Sequence, residues 1–207
     1  MARAKAPRRK TPSGTAEDRL IAAALTLAAR QGWRRIGLND IAAEAGLKLH
    51  EVYALHRSKG AILRAFTRRI DRAVLEGAAP DSGDNPRERL FDILMRRFEA
   101  LKPHREAIRA IARDSLGDPH AILRLPALRL SMRWMLEAAG ISTEGCAGRI
   151  VVGLVLALHL SMLRTFLADD SPDLAKTMAA LDQGLRRGEQ FLRYLPRQRQ
   201  GTAPRPA

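Results

Sequence analysis

Residues 44–63, EAGLKLHEVYALHRSKGAIL, decide how this chain is read. Gly46 stands between two short apolar sets at helical spacing, Leu38, Ile41 and Ala42 before it and Leu49, Val52 and Tyr53 after it. Two short helices joined through a glycine, the second amphipathic, form the helix-turn-helix arrangement, whose second helix enters the major groove of DNA. Ser58 is placed to cap a longer helix that begins at Lys59.

Upstream, Thr15 followed by Asp18 makes a capping box for a helix over about 16–31, stopped by Gly32 in the C-cap position. Trp33, Ile36 and Leu38 then read as core anchors around a tight connection. Short helices are expected over 38–45 and 49–55. Downstream, APDSGDNP at 79–86 gathers turn-forming residues and marks a domain border. Asn85 as cap, Pro86 in the first turn and Glu88 start a helix that runs to about Leu101. Pro103, Pro119 and Pro126 punctuate further pieces, one over about 127–139. Two long amphipathic segments, 145–168 and 174–195, close the fold. The expectation is an all-α protein of about nine helices. Its parts are a disordered basic arm over 1–14, a helix-turn-helix domain over 15–78, a larger helical domain over 79–195 and a disordered tail over 196–207.

Composition agrees. Of 207 residues, 46% are apolar and only 4% aromatic, and Ala, Leu and Arg dominate over β-branched runs. The formal charge of +14 calls for an acidic partner such as nucleic acid or an anionic membrane surface. Residues 1–76 hold 16 Lys/Arg against 7 Asp/Glu, so more than half of the excess lies in the first third. Arg3, Lys5, Arg8, Arg9 and Lys10 of the arm add to it.

Cys146 is the only cysteine, which excludes an internal disulfide or a thiolate cage and suits a reducing compartment, the cytoplasm; it is expected to be a packing residue. The longest uncharged apolar run, IVVGLVLALHLSML at 150–163, is shorter than the ~20 residues of a bilayer-crossing helix, so no integral membrane segment is expected. His104, His120 and His159 are too scattered for a metal site, and His159 reads as a hydrogen-bonded core or interface histidine. Neither paired carboxylates nor a Ser/His/Asp set nor a phosphate-cradling glycine loop is present, so neither catalysis nor a cofactor is expected.

The order of residues in GWRRIGLNDIAAEAGLKLHEVYALHRSKGAIL resembles the N-terminal domain of the TetR family of transcriptional repressors. The matching positions are Gly32, Trp33, Asp40, Ile41, Ala42, Ala45, Gly46, Tyr53, Ser58, Lys59 and Leu63, within a likeness that covers 16–77. The resemblance implies a TetR-like fold in which Tyr53 and Lys59 hold phosphates of double-stranded DNA, while Lys48, Leu49, His50 and Glu51 face the groove. Four positions depart from the pattern: Gly37 replaces a capping threonine, Lys48 a capping Ser or Thr, Glu51 a phosphate-contacting Thr, and His56 a core phenylalanine. A carboxylate at 51 facing a polyanion is unfavourable unless a cytosine amino group donates to it.

The resemblance also implies a homodimer built on the last two helices and a C-terminal pocket for a small hydrophobic effector. Met95, Phe98, Met132, Trp134, Met135, Leu158, His159 and Met162 are its expected lining. A second resemblance runs through FDILMRRFEALKPHREAIRAIARD, WMLEAAGI and DDSPDLAKTMAALDQGLRRGEQFL. These segments are similar to the lipid-binding proteins of ubiquinone biosynthesis that share the TetR scaffold, which implies a lipid-like ligand and lost DNA binding as the alternative.

Overall fold

The computed structural model describes residues 14–77, 85–115 and 125–194. The expected basic arm, the tail from 196, most of the 79–86 border, Pro119 and His120 lie outside the described residues. Within them are nine α-helices, one three-residue 3-10 turn and no strand. In chain order these are α1 (Ala16–Gln31), α2 (Leu38–Ala45), α3 (Leu49–Leu55), α4 (Lys59–Glu76), α5 (Pro86–Leu101), the turn Lys102–His104, α6 (Arg105–Ser115), α7 (Leu125–Ala138), α8 (Gly145–Leu167) and α9 (Ala175–Tyr194).

Local chemistry sets most of these boundaries. Thr15 accepts from the Asp18 amide at 3.1 Å while Asp18 accepts from the Thr15 amide at 3.2 Å, closing the capping box of α1. The Ser58 hydroxyl accepts from the Ala61 amide at 3.1 Å, and Asn85 accepts from the Arg87 amide at 3.2 Å. Gly46 ends α2 with φ 65°, and the Leu47 amide returns to the Ala42 carbonyl at 2.9 Å, a Schellman closure that favours glycine. Helix α7 starts two residues before the expected 127, because Pro126 is tolerated in a first turn whose amide needs no helical partner.

One apolar cluster runs through the molecule. Leu20, Ile41, Ile62, Leu94, Phe98, Met132, Met135, Leu136 and Leu181 are fully buried within it, each contributing roughly 1.5–3 kcal/mol of transfer free energy. The amino-terminal helices pack directly on the rest: α1 on α6, and α4 on both α5 and α7. A buried ion pair reinforces this seam. Arg97 of α5, only 2% exposed, bonds the Asp71 carboxylate of α4, which also accepts from Ser131 of α7 at 2.6 Å. Burial pulls the Arg97 guanidinium below its ordinary pKa, and Asp71 offsets part of that.

Among the described residues α8 alone has the length and mean hydropathy, 2.0, of a bilayer-crossing helix. The expectation drawn from the uncharged run counted only 150–163, whereas the helix extends past Arg149 and Arg164. Those two cations, and the packing of α7 and α9 along it, place α8 in a helical bundle. Gly184 of α9 permits the close approach, since a Cβ there would lie 2.3 Å from Leu158 Cδ1. Cys146 is a correction: it is exposed in the first turn of α8, where its Sγ accepts from Arg149 at 3.1 Å.

Candidate nucleic-acid interface

Helix α3 buries a single side chain, Val52, and turns the rest outward. Lys48, His50 and Glu51 are exposed, Leu49 is 50% exposed and Tyr53 62% exposed. The seven-residue helix thus leaves an apolar and an aromatic side chain in water.

Glu51 does something other than the sequence implied. Its carboxylate accepts from the Lys48 amide at 2.7 Å, the reach-back half of a capping box, so it satisfies the α3 amino terminus and offsets the cation at the cap. Asp40 does the same for Gly37, accepting from its amide at 2.7 Å, which explains how α2 starts without a capping hydroxyl.

Lys59 is half-buried and points inward along the chain's own backbone. Its ammonium donates to the Trp33 carbonyl at 2.7 Å and the Ile36 carbonyl at 2.8 Å, and lies 4.9 Å from the Trp33 ring centre. This lysine clips the α1–α2 connection to the start of α4. Tyr53 remains exposed, with the Arg57 guanidinium 5.3 Å from its ring. Arg57 was not among the expected contacts; its signal was its place between α3 and the cap of α4, on the exposed side. Exposed Arg34 and Arg35 flank the same connection. His56 is buried, its Nε2 lying 2.9 Å from a Glu17 carboxylate oxygen but off the line of an aligned hydrogen bond.

In the larger half, an apolar cavity of about 300 Å³ opens between α4, α6, α7 and α8, at the lower end of the roughly 300–1,000 Å³ of small-molecule sites. Leu63, Phe66 and Ile70 of α4, Ile108 and Ile111 of α6, and Leu163 of α8 supply much of the wall. Of the eight residues expected to line a pocket, His159 lines this cavity and Trp134 a separate groove. Met95, Met132 and Met135 are core, and Phe98 stacks on His159 from the core side at 5.2 Å. Met162 and Leu158 pack among the helices, and Trp134 is 54% exposed on a separate open groove between α4 and α7. His159 is buried, yet its Nδ1 has no partner, contrary to the expected hydrogen-bonded state. Burial, with Arg97 nearby, pushes its pKa down to about 3, so the ring is neutral at ordinary pH.

The fold is that of an all-α helix-turn-helix protein with a larger helical domain, and comparison with solved structures makes it specific. A TetR transcriptional regulator from Nitrosomonas europaea ATCC 19718 superposes with a TM-score of 0.68 at 23% identity, over 84% of this chain and 98% of that one. A TetR transcriptional regulator from Rhodococcus sp. RHA1 gives 0.62 at 20% identity, over 87% and 98%. NalD, the secondary repressor of the MexAB-OprM multidrug efflux pump in Pseudomonas aeruginosa, gives 0.52 at 17% identity, over 83% and 96%. The chain has the TetR fold. No protein-family model matches its sequence, and no curated protein does.

Proposed function

We propose that this protein is a TetR-type transcriptional regulator, a dimer that binds palindromic double-stranded DNA through α3 and releases or grips it in response to a small hydrophobic effector. The observation that carries the reading is the outward face of α3, where Lys48, Leu49, His50 and Tyr53 stand exposed beside Arg57. In this reading Tyr53 and Arg57 meet phosphates, and Lys48 and His50 meet base edges. Lys59 acts mainly by fixing the α1–α2 connection and hence the angle of the head. Repression and a cytoplasmic location go with this role.

Dimerisation is supported by α8, of which 22% of the most apolar stretch is buried within one chain. Ile150 and Leu160 of α8 and Met178 of α9 are exposed. A second copy covering them would complete a four-helix bundle and set two heads one DNA turn apart, about 34 Å.

Effector response is supported by the sharing of helices. Helix α6 walls the cavity with Ile108 and Ile111, while Asp114 in its last turn accepts from the Arg34 amide at 2.9 Å in the α1–α2 connection. Helix α4 walls the same cavity and begins at Lys59. A ligand that favours one setting of α6 and α4 biases the heads by its difference in affinity, typically about 1–3 kcal/mol.

A gel shift on genomic fragments tests the reading. A folded dimer should shift DNA at ~50 mM salt with affinity falling steeply as salt rises. A folded dimer that shifts none overturns it. The apolar cavity also suits the alternative, a lipid-binding accessory protein of ubiquinone biosynthesis on this scaffold. Isoprenoid quinone extracted from the purified protein, together with absent DNA binding, would establish that alternative instead.

A further inference from the structure

Helix α7 is apolar on two sides, and the described residues cover only one of them. Met132, Met135 and Leu136 face the core, while Pro126, Leu130 and Trp134, four residues apart and so on one face, are exposed. Leu130 is 56% exposed and Trp134 54%. They line an open groove against α4, whose side of it carries Arg64, Arg68 and Arg72, also four apart and all exposed. Each row rises about 12 Å, a little over two helical turns.

The cationic row is not balanced from within. Arg64 and Arg72 make no ion pair or hydrogen bond among the described residues, and Arg68 lies 4.0 Å from Glu17, both in water, where such a pair contributes little. Of the two acids at the groove, Asp71 is taken by Arg97 and Ser131, which leaves Glu76 against three arginines. Like charges four apart on a helix repel, so carboxylates brought to this row relieve it. Tryptophan and arginine side by side on an exposed apolar strip have the composition of a binding surface.

Shape and charge then select the occupant. A small ligand would stay largely in water in so open a groove. A flat bilayer would not enter it, and a nucleic acid would leave its apolar wall uncovered. A helix with an apolar face and acidic flanks meets both rows at once. No undescribed segment of this chain has that chemistry: 1–13 and 195–207 hold no acid, 78–84 has no large apolar side chain, and the one acid of 116–124 is offset by Arg124.

We infer that the groove between α4 and α7 docks an acidic amphipathic helix of another protein, its apolar face on Leu130 and Trp134 and its carboxylates at Arg64, Arg68 and Arg72. This partner is additional to the proposed DNA and effector, and the docking depends on neither.

The chain holds its own reporter: of its two tryptophans, Trp33 is buried and Trp134 is exposed. The probe is a labelled, tryptophan-free peptide of about 15 residues, with leucines three and four apart on one helical face and glutamates beside them. Added to the full chain, it should shift tryptophan emission to the blue and shield it from acrylamide. By anisotropy it should bind about tenfold tighter than a peptide of the same composition with its leucines spread around the helix, and than one with lysine for glutamate. Trp134→Ala, at an exposed site, should weaken it about tenfold, and Arg64→Glu with Arg72→Glu should transfer the preference to the lysine peptide. Equal binding of the probe and either control would overturn the assignment. So would an emission shift caused by phosphatidylglycerol vesicles or duplex DNA but not by the probe, or a dimer that dissociates on Trp134→Ala, which would give the groove to a second copy. Should a variant not fold, the ranking of the three peptides and the emission shift on the unaltered protein decide.

Discussion

Lys59 and Tyr53 look equivalent in the sequence and are not in the structure. Tyr53 is held by little besides its own helix, so Tyr53→Phe should leave the melting temperature unchanged and weaken binding to every DNA sequence by roughly 1 kcal/mol, one net hydrogen bond. Lys59 makes two charge-assisted bonds to backbone carbonyls, and Lys59→Met should cost roughly 2 kcal/mol of folding stability as well as DNA affinity. Denaturation and gel shifts on the same two variants separate these roles; a stable Lys59→Met protein with weakened DNA binding would return Lys59 to direct phosphate contact. Glu51 argues in the opposite direction. Its carboxylate caps α3, so Glu51→Ala should cost about 0.5–1 kcal/mol of stability and, by removing a negative charge from the face proposed to meet DNA, tighten non-specific binding. Looser binding would mean that the carboxylate meets a base.

Among the elements, the junction between α8 and α9 is the most tightly specified. Asp169, sealed from solvent, accepts from the Ser171 amide at 3.1 Å and hydroxyl at 2.5 Å, and from the Thr177 amide and hydroxyl at 2.7 Å each. Burial raises its pKa, but these donors outweigh burial and hold it well below the ordinary carboxylate value. A depressed folded-state pKa stabilises the fold above the unfolded value of about 3.9 and loses that contribution as pH falls below it. Asp169→Asn should therefore destabilise the protein by roughly 2 kcal/mol at pH 7 and show a smaller further loss on acidification. Denaturant titrations at fixed protein concentration, at pH 7 and pH 3, check this; an unchanged gap between the two variants at both pH values contradicts it. The helices themselves were legible in the sequence. Thr15 with Asp18, Gly32, Gly46, Ser58 and Asn85 each mark a boundary, because a cap is a contact between residues two to four apart.

At the scale of the whole molecule, the exposed apolar stripe of α8 and the shared walls of the cavity are the features that would join dimer, ligand and head in the proposed regulator. Leu160→Glu and Ile150→Glu, placing charge on that stripe, should convert a dimer into a folded monomer in analytical ultracentrifugation and greatly weaken binding to palindromic DNA. Dimers unaffected by both changes would put the interface elsewhere. The exposure of Lys48, Leu49, His50 and Tyr53 was legible in the sequence, since it follows from the α3 register. The pocket was not. Met95, Met132 and Met135 share the composition of a ligand wall, and helical periodicity distinguishes inside from outside but not core from cavity.

Sequence alone determined where the helices begin and end, which face of each is apolar, and that a helix-turn-helix precedes a larger bundle. Those properties depend on side chains within a turn of one another. Tertiary structure alone decided that Arg97 meets Asp71, that Lys59 holds the carbonyls of Trp33 and Ile36, and that His159 lines a cavity. Each of these joins residues more than twenty positions apart, or depends on the space left between four helices, and no local pattern encodes where such partners fall.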